Sequence, residues 1–134
     1  RIKEDYLRIL RYFRFSSQYS KFHYKDEDIQ EIKKNINGIN KISKERIFDE
    51  LKKILLLNDL YSIFLNEDSK ECILNIFPQF KFYKRLKTFK NLDSKLKLEY
   101  DFNIILAILI VDHSDNYEFF CFKYKFLYIR TIYI

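Results

Sequence analysis

Turn-forming residues are almost missing from this chain: Gly38 is the one glycine and Pro78 the one proline in 134 residues. A sandwich or barrel of many short strands needs turn residues every ten positions or so, and there is little here to build them from. Glycine-rich phosphate loops are excluded for the same reason, since neither a Walker-type nor a Rossmann-type loop can be made around Gly38 alone. Cysteine is scarce too. Cys72 and Cys121 stand far apart, with no CxxC and no clustered histidine. Neither a zinc site nor a disulfide framework is suggested, and both read as reduced core thiols of a cytosolic protein. His23 and His113 are single and distant, and read as surface or core fillers. No secretory signal opens the chain, because charges run throughout Arg1 to Arg14. The longest apolar run, Ile104 to Val111, falls well short of the roughly 20 residues that span a bilayer. A cytoplasmic protein with no membrane partner is the expectation.

What is present is apolar and basic. Hydrophobic residues make up 48%, enough for a folded core rather than a solvated polymer. Lys and Arg number 25 against 19 Asp and Glu, a net charge of +6 and a pI near 9.2. That excess favours a polyanionic partner, since each neutralised phosphate releases condensed counterions. The abundance of Ile, Lys, Asn, Tyr and Phe also fits codon bias in an AT-rich gene, which raises lysine without a functional cause.

Hydrophobic periodicity predicts an all-α chain. Leu7, Leu10 and Phe13 recur on one face of a first helix over Ile2 to Tyr19. Asp26-Glu27-Asp28 opens a second, with Ile29, Ile32 and Ile36 inward and Gly38 as its C-terminal stop. Ser43 caps a third that turns Ile47, Leu51, Ile54 and Leu55 inward and runs to about Leu57. Asn58-Asp59 caps a fourth through Leu65, and Glu67 to Ile76 forms a fifth, stopped by Pro78. A basic, aromatic stretch over Gln79 to Lys90 leads into a helix around Leu98 to Val111. From Tyr117 to Ile134 the pattern changes: Phe120, Phe122, Tyr124, Phe126 and Tyr128 alternate with other residues, which is the period of a strand.

Chemistry concentrates in Glu4-Asp5-Tyr6-Leu7-Arg8-Ile9-Leu10-Arg11 and, about thirty residues on, in Ile42-Ser43-Lys44-Glu45-Arg46-Ile47-Phe48-Asp49-Glu50-Leu51. Three residues apart on a helix, Asp5 and Arg8 project to neighbouring surface. A carboxylate only accepts hydrogen bonds and a guanidinium only donates them. Cytosine and adenine both offer an exocyclic amino donor beside a ring-nitrogen acceptor, so an acid–arginine pair complements them and mismatches uracil or guanine. The bland reading of the same spacing is an ordinary salt-bridged helix face. For Glu45, Arg46 and Glu50 a scaffold role is expected, with Arg46–Glu50 as an i,i+4 pair under the Ser43 cap.

The first segment resembles the EDxxRxxR motif that opens the neck of bacterial tRNA nucleotidyltransferases (CCA-adding enzymes) and of their poly(A) polymerase relatives. Arg14-Phe15-Ser16-Ser17-Gln18 is similar to its RFAAQ-like continuation, the second segment to an ISxERIxxEL element, and Ile76-Phe77-Pro78 to an IFP element. Tyr6 stands where that family commonly has proline. The resemblance implies tandem helical neck and body lobes, with a neck-like domain over residues 1–57, a body-like RNA-binding region over 58–116 and an atypical aromatic tail over 117–134. It implies that Asp5 and Arg8 read the base of incoming ATP or CTP, with Glu4 and Arg11 as supports. It implies tRNA or other RNA 3′ ends as partner, not DNA, with Lys81, Lys84, Arg85 and Lys87 as candidate RNA contacts.

In that family a head-domain DxD holds two magnesium ions for nucleotidyl transfer. The chain begins at Arg1 with no such motif before Asp5, and Asp26-Glu27-Asp28 reads as the start of a helix rather than a metal site. The chain alone is therefore expected not to polymerise, to hold no cofactor of its own, and to work with a separately encoded catalytic head chain. The alternative is a remnant helical interaction module with no nucleotide role, to which the alternating aromatic tail, resembling a frame-shifted end, lends support.

Overall fold

The structure, a computed structural model, describes residues 2–18, 24–96, 99–112 and 114–125. All its regular elements are helical: α1 Arg8–Gln18, α2 Asp26–Asn35, α3 Lys44–Leu55, α4 Tyr61–Leu65, α5 Glu67–Ile76, α6 Arg85–Leu96, α7 Phe102–Ile110 and α8 Asn116–Lys123. Short 3-10 segments cover Ile2–Glu4 and Ile36–Lys41. No strand occurs among the described residues, in line with the all-α expectation though not with the alternating pattern after Tyr117.

Side-chain caps set several of the boundaries. Ser43 Oγ accepts from the Arg46 backbone N–H at 3.3 Å, as the sequence suggests for α3. Asn66 Oδ1 accepts from Ser69 N at 3.0 Å to start α5, and Asp101 Oδ1 accepts from Asn103 N at 3.0 Å to start α7. Asp59 works differently from expectation. Its backbone carbonyl, not its carboxylate, gathers donors before α4, from Ser62 N at 3.1 Å and from the hydroxyls of Ser62 at 2.7 Å and Ser17 at 3.1 Å. Its carboxylate faces Lys90 at 3.2 Å instead.

The first helix starts later than the apolar spacing predicts, at Arg8 rather than Ile2. Asp5 is the cause: Oδ1 accepts from Leu7 N at 3.1 Å, and its carbonyl accepts from Arg8 N at 3.1 Å. A short acidic side chain that bonds the backbone just downstream competes with helix and favours its entrance. Gly38 does not stop α2 either. The helix ends at Asn35 and continues as 3-10 turns through Lys41, with Gly38 inside them. Gly38 is needed for proximity: a Cβ built there would lie 2.1 Å from the Tyr6 ring.

The strand pattern after Tyr117 gives way to α8. In an aromatic-rich segment a period of two hides a helical one. Tyr117, Phe120, Cys121 and Tyr124, at helical spacing, are buried, while Phe119 and Phe122 are 70% and 85% exposed. Residues 126–134, His23 and His113 lie outside the described residues.

One connected cluster of buried side chains extends from Leu7 to Tyr124. α1 packs on α3 and α4, α3 on α7, α2 on α5, and α7 on α6 and α8. Ile9, Leu10 and Phe13 are fully buried from α1, and Ile47, Leu51 and Leu55 nearly so from α3. Burying such side chains is worth about 1.5–3 kcal/mol each. The start of α1 is thereby pinned against α3, where both chemically informative segments meet. Among the described residues no helix is long and apolar enough to cross a membrane.

Candidate functional site

Asp5 sits at the entrance of α1 with both carboxylate oxygens engaged. Oδ1 takes the Leu7 N–H, and Oδ2 takes Arg46 Nη2 at 3.0 Å. The Leu7 N–H, helped by Arg46, holds the Asp5 carboxyl below its ordinary value, against a smaller opposing effect of burial. Asp5 is thus a fixed, charged acceptor. Two bonds leave part of its lone-pair capacity unused.

Arg8 occupies the first turn of α1, but Asp5 is not on the helix with it, contrary to the expected paired stripe. Its Nη1 donates to Glu4 Oε2 at 3.2 Å, a half-exposed contact that steers the guanidinium. Beside it opens a cleft of about 390 Å³ between the start of α1 and α2, lined by Ile2, Arg8, Tyr12, Asp28, Glu31 and Ile32. Burial, followed by the nearby Asp28, keeps the Tyr12 hydroxyl protonated above its usual range.

The α3 motif bonds outward rather than along its own helix. Arg46 pairs with Asp5, not with Glu50 as the i,i+4 spacing suggests. Glu50 is buried, 2% exposed, and points to α1, where Arg14 Nε bonds Oε1 and Arg11 Nε lies 3.7 Å from Oε2. Spacing along a helix says nothing about a neighbouring helix, and α1 offers two guanidinium groups where α3 offers one. Arg14 escaped the sequence reading although it is the closest partner of the buried carboxylate. The signal available was Arg11 and Arg14 on one face, opposite an acid in a helix otherwise turned inward. Glu45 meets Lys125 at 3.5 Å.

Lys81, Lys84, Arg85 and Lys87 are all exposed at the turn into α6. Arg85 has a structural occupation: it lies 3.9 Å over the Phe82 ring and donates to the carbonyls of Ile108 at 3.3 Å and Val111 at 2.7 Å, capping the C-terminus of α7. Tyr83 is stacked on Phe64 at 5.0 Å. Asp26, Glu27 and Asp28 form the first turn of α2. No group of three or more His, Cys, Asp or Glu able to hold a metal ion occurs among the described residues. Cys72 and Cys121 are free and buried, and burial pushes each thiol up to about 11.

Comparison with known proteins covers the α3 segment and much of the chain. A family profile described as "Probable RNA and SrmB- binding site of polymerase A" matches residues 22–82. The CCA-adding enzyme of Staphylococcus haemolyticus is 32% identical over 116 residues, covering 87% of this chain and 27% of that protein. The mitochondrial CCA tRNA nucleotidyltransferase 1 of Danio rerio is 48% identical over 60 residues, covering 43% of this chain and 14% of that protein. Its counterpart in Homo sapiens is 50% identical over 60 residues, with the same coverage. The chain thus spans about a quarter or less of these relatives' own length. No solved structure gives a significant match. The matches identify this chain as part of the CCA-adding enzyme and poly(A) polymerase family.

Proposed function

We propose that the chain selects the base of incoming ATP or CTP through Asp5 and Arg8, and holds the 3′ end of a tRNA or similar RNA, for nucleotidyl transfer performed by a catalytic head. The observation that carries this reading is the Asp5–Arg46 ion pair, which joins the two family-like segments at 3.0 Å and fixes the acceptor half of the pair. Arg8, steered by Glu4 beside an open cleft, supplies the donor half. Arg11 acts at one remove, holding α1 on α3 through Glu50.

Such a pair meets the amino donor and ring-nitrogen acceptor of cytosine or adenine with complementary groups. Uracil and guanine leave one group unpaired on each side, which costs about 1–3 kcal/mol when water is excluded. That is roughly a ten- to hundredfold preference. On this reading the chain's share is recognition, and the magnesium ions that nucleotidyl transfer in this family uses belong to the catalytic head. Lys81, Lys84 and Lys87 are its exposed cations for RNA backbone on the α6 side.

The test pairs the chain with its catalytic head, attached or separate, and supplies a tRNA ending before its last residues. Incorporation is measured with ATP, CTP, UTP and GTP in turn. Asp5→Ala and Arg8→Ala are expected to narrow the gap between correct and incorrect nucleotides about tenfold or more. Unaltered base choice in both folded variants overturns the reading.

A further inference from the structure

The end of α8 lies outside anything base selection uses, yet it brings three lysines together at the start of α3. Lys44 Nζ lies 5.7 Å from the centre of the Tyr124 ring, and Lys123 Nζ lies 5.3 Å from the same ring. Lys125 follows directly, and its Nζ reaches Glu45 Oε1 at 3.5 Å. The ring they share belongs to the core: Tyr124 is 2% exposed and packs on Phe120 at 4.5 Å and Phe77 at 5.9 Å. Two of the cations are therefore held against a fixed aromatic body rather than dispersed in solvent.

Three features of the cluster disfavour it as it stands. Among the described residues Lys44 and Lys123 enter no ion pair. Burial, then the charge of Lys44, drives the Lys123 ammonium toward deprotonation. Lys125 has φ 55, the left-handed region, where glycine is the residue at ease. Like charges gathered at a backbone cost are what a polyanion relieves, and the N-terminal end of α3 adds its own positive dipole.

We propose that Lys44, Lys123 and Lys125 form a phosphodiester-binding cradle for the single-stranded end of the RNA, two of its three cations lying beyond the residues the family profile covers. This rests on the RNA-binding reading above. Glu45, the carboxylate that engages Lys125, competes with the RNA for that cation.

The test uses the full chain, with fluorescence anisotropy of a tRNA and of a short single-stranded RNA across a salt series. Lys44→Gln/Lys123→Gln/Lys125→Gln is expected to weaken binding about tenfold and to lower the log–log salt slope by about 2, at roughly 0.7 per phosphate. Glu45→Gln is expected to tighten binding. Lys125→Gln alone, an exposed change, carries the same sign if the triple variant does not fold. Unchanged affinity and slope in the folded variants overturn the cradle. So does inorganic phosphate that displaces RNA equally from the wild type and the triple variant. Asp5→Ala separates the two readings: it should alter base choice and leave RNA affinity intact, and either result can fail without the other.

Discussion

Arg46 on α3 donates to the carboxylate of Asp5 at 3.0 Å, joining residues 41 positions apart and fixing the entrance of α1 to the first turn of α3. With the Leu7 N–H on its other oxygen, Asp5 is more acidic folded than the ordinary 3.8. A carboxyl whose folded value is depressed stabilises the fold at pH above its unfolded value. That contribution disappears as pH falls through the folded value. Asp5→Asn keeps an oxygen for Leu7 but has no charge for Arg46. Its stability deficit against wild type should therefore be constant near neutrality and shrink below pH 3.8. Urea titrations at several pH values read this directly. A deficit that persists undiminished in acid would remove the charge from the account.

Glu50 has the opposite character to Asp5. It is buried between α3 and α1, and its removal leaves Arg14, 18% exposed, without its partner. Breaking a buried pair from one side costs about 3–5 kcal/mol, and the partial exposure of Arg14 puts Glu50→Ala near the lower figure. Arg46→Ala, whose pair with Asp5 is half-exposed, should cost less than about 1 kcal/mol. Denaturation midpoints of the two variants should therefore separate clearly. Equal midpoints would mean that Glu50 is not the ionic anchor of α1.

Local chemistry was legible in the sequence, and long-range chemistry was not. Ser43 as a cap, Pro78 beyond α5 and the inward faces of α1 and α3 follow from spacing within one element. The partner of Arg46 does not, because Asp5 and Glu50 are equally plausible by charge and only packing of α1 on α3 decides between them. α8 stayed hidden for a compositional reason. When nearly every other residue is aromatic, burial of Tyr117, Phe120 and Tyr124 at helical spacing leaves no separate trace. Asp5 shows the finer limit: three residues before Arg8, it is kept outside the helix by its own backbone bonds.

Arg85 and its lysine neighbours should part company under mutation. Arg85 caps the last carbonyls of α7, so Arg85→Gln is expected to lower stability by about 1 kcal/mol and leave the salt slope of RNA binding nearly unchanged. Lys81→Gln/Lys84→Gln/Lys87→Gln touches exposed side chains. It should leave the melting temperature in place and reduce the slope by about 2. Melting curves and salt-dependent anisotropy on the same samples distinguish the two. A slope lost with Arg85 alone would return that residue to the RNA surface.

Gly38 packs against the Tyr6 ring with no room for a side chain. A Cβ at position 38 would lie 2.1 Å from the Tyr6 ring atoms, so the ring must leave its place between the Ile36–Lys41 turns and the α1 entrance. Tyr6 is adjacent to Asp5, and Lys41 lies 5.6 Å over its ring, so the displacement acts next to the Asp5 carboxylate. Gly38→Ala should cost about 1–3 kcal/mol by overpacking. In a Tyr6→Ala background, where the ring is gone, the same change should be near neutral, because φ at Gly38 is not in the left-handed region. A double-mutant cycle on denaturation midpoints measures the difference. Additive costs would show that Gly38 is constrained by something other than the ring it faces.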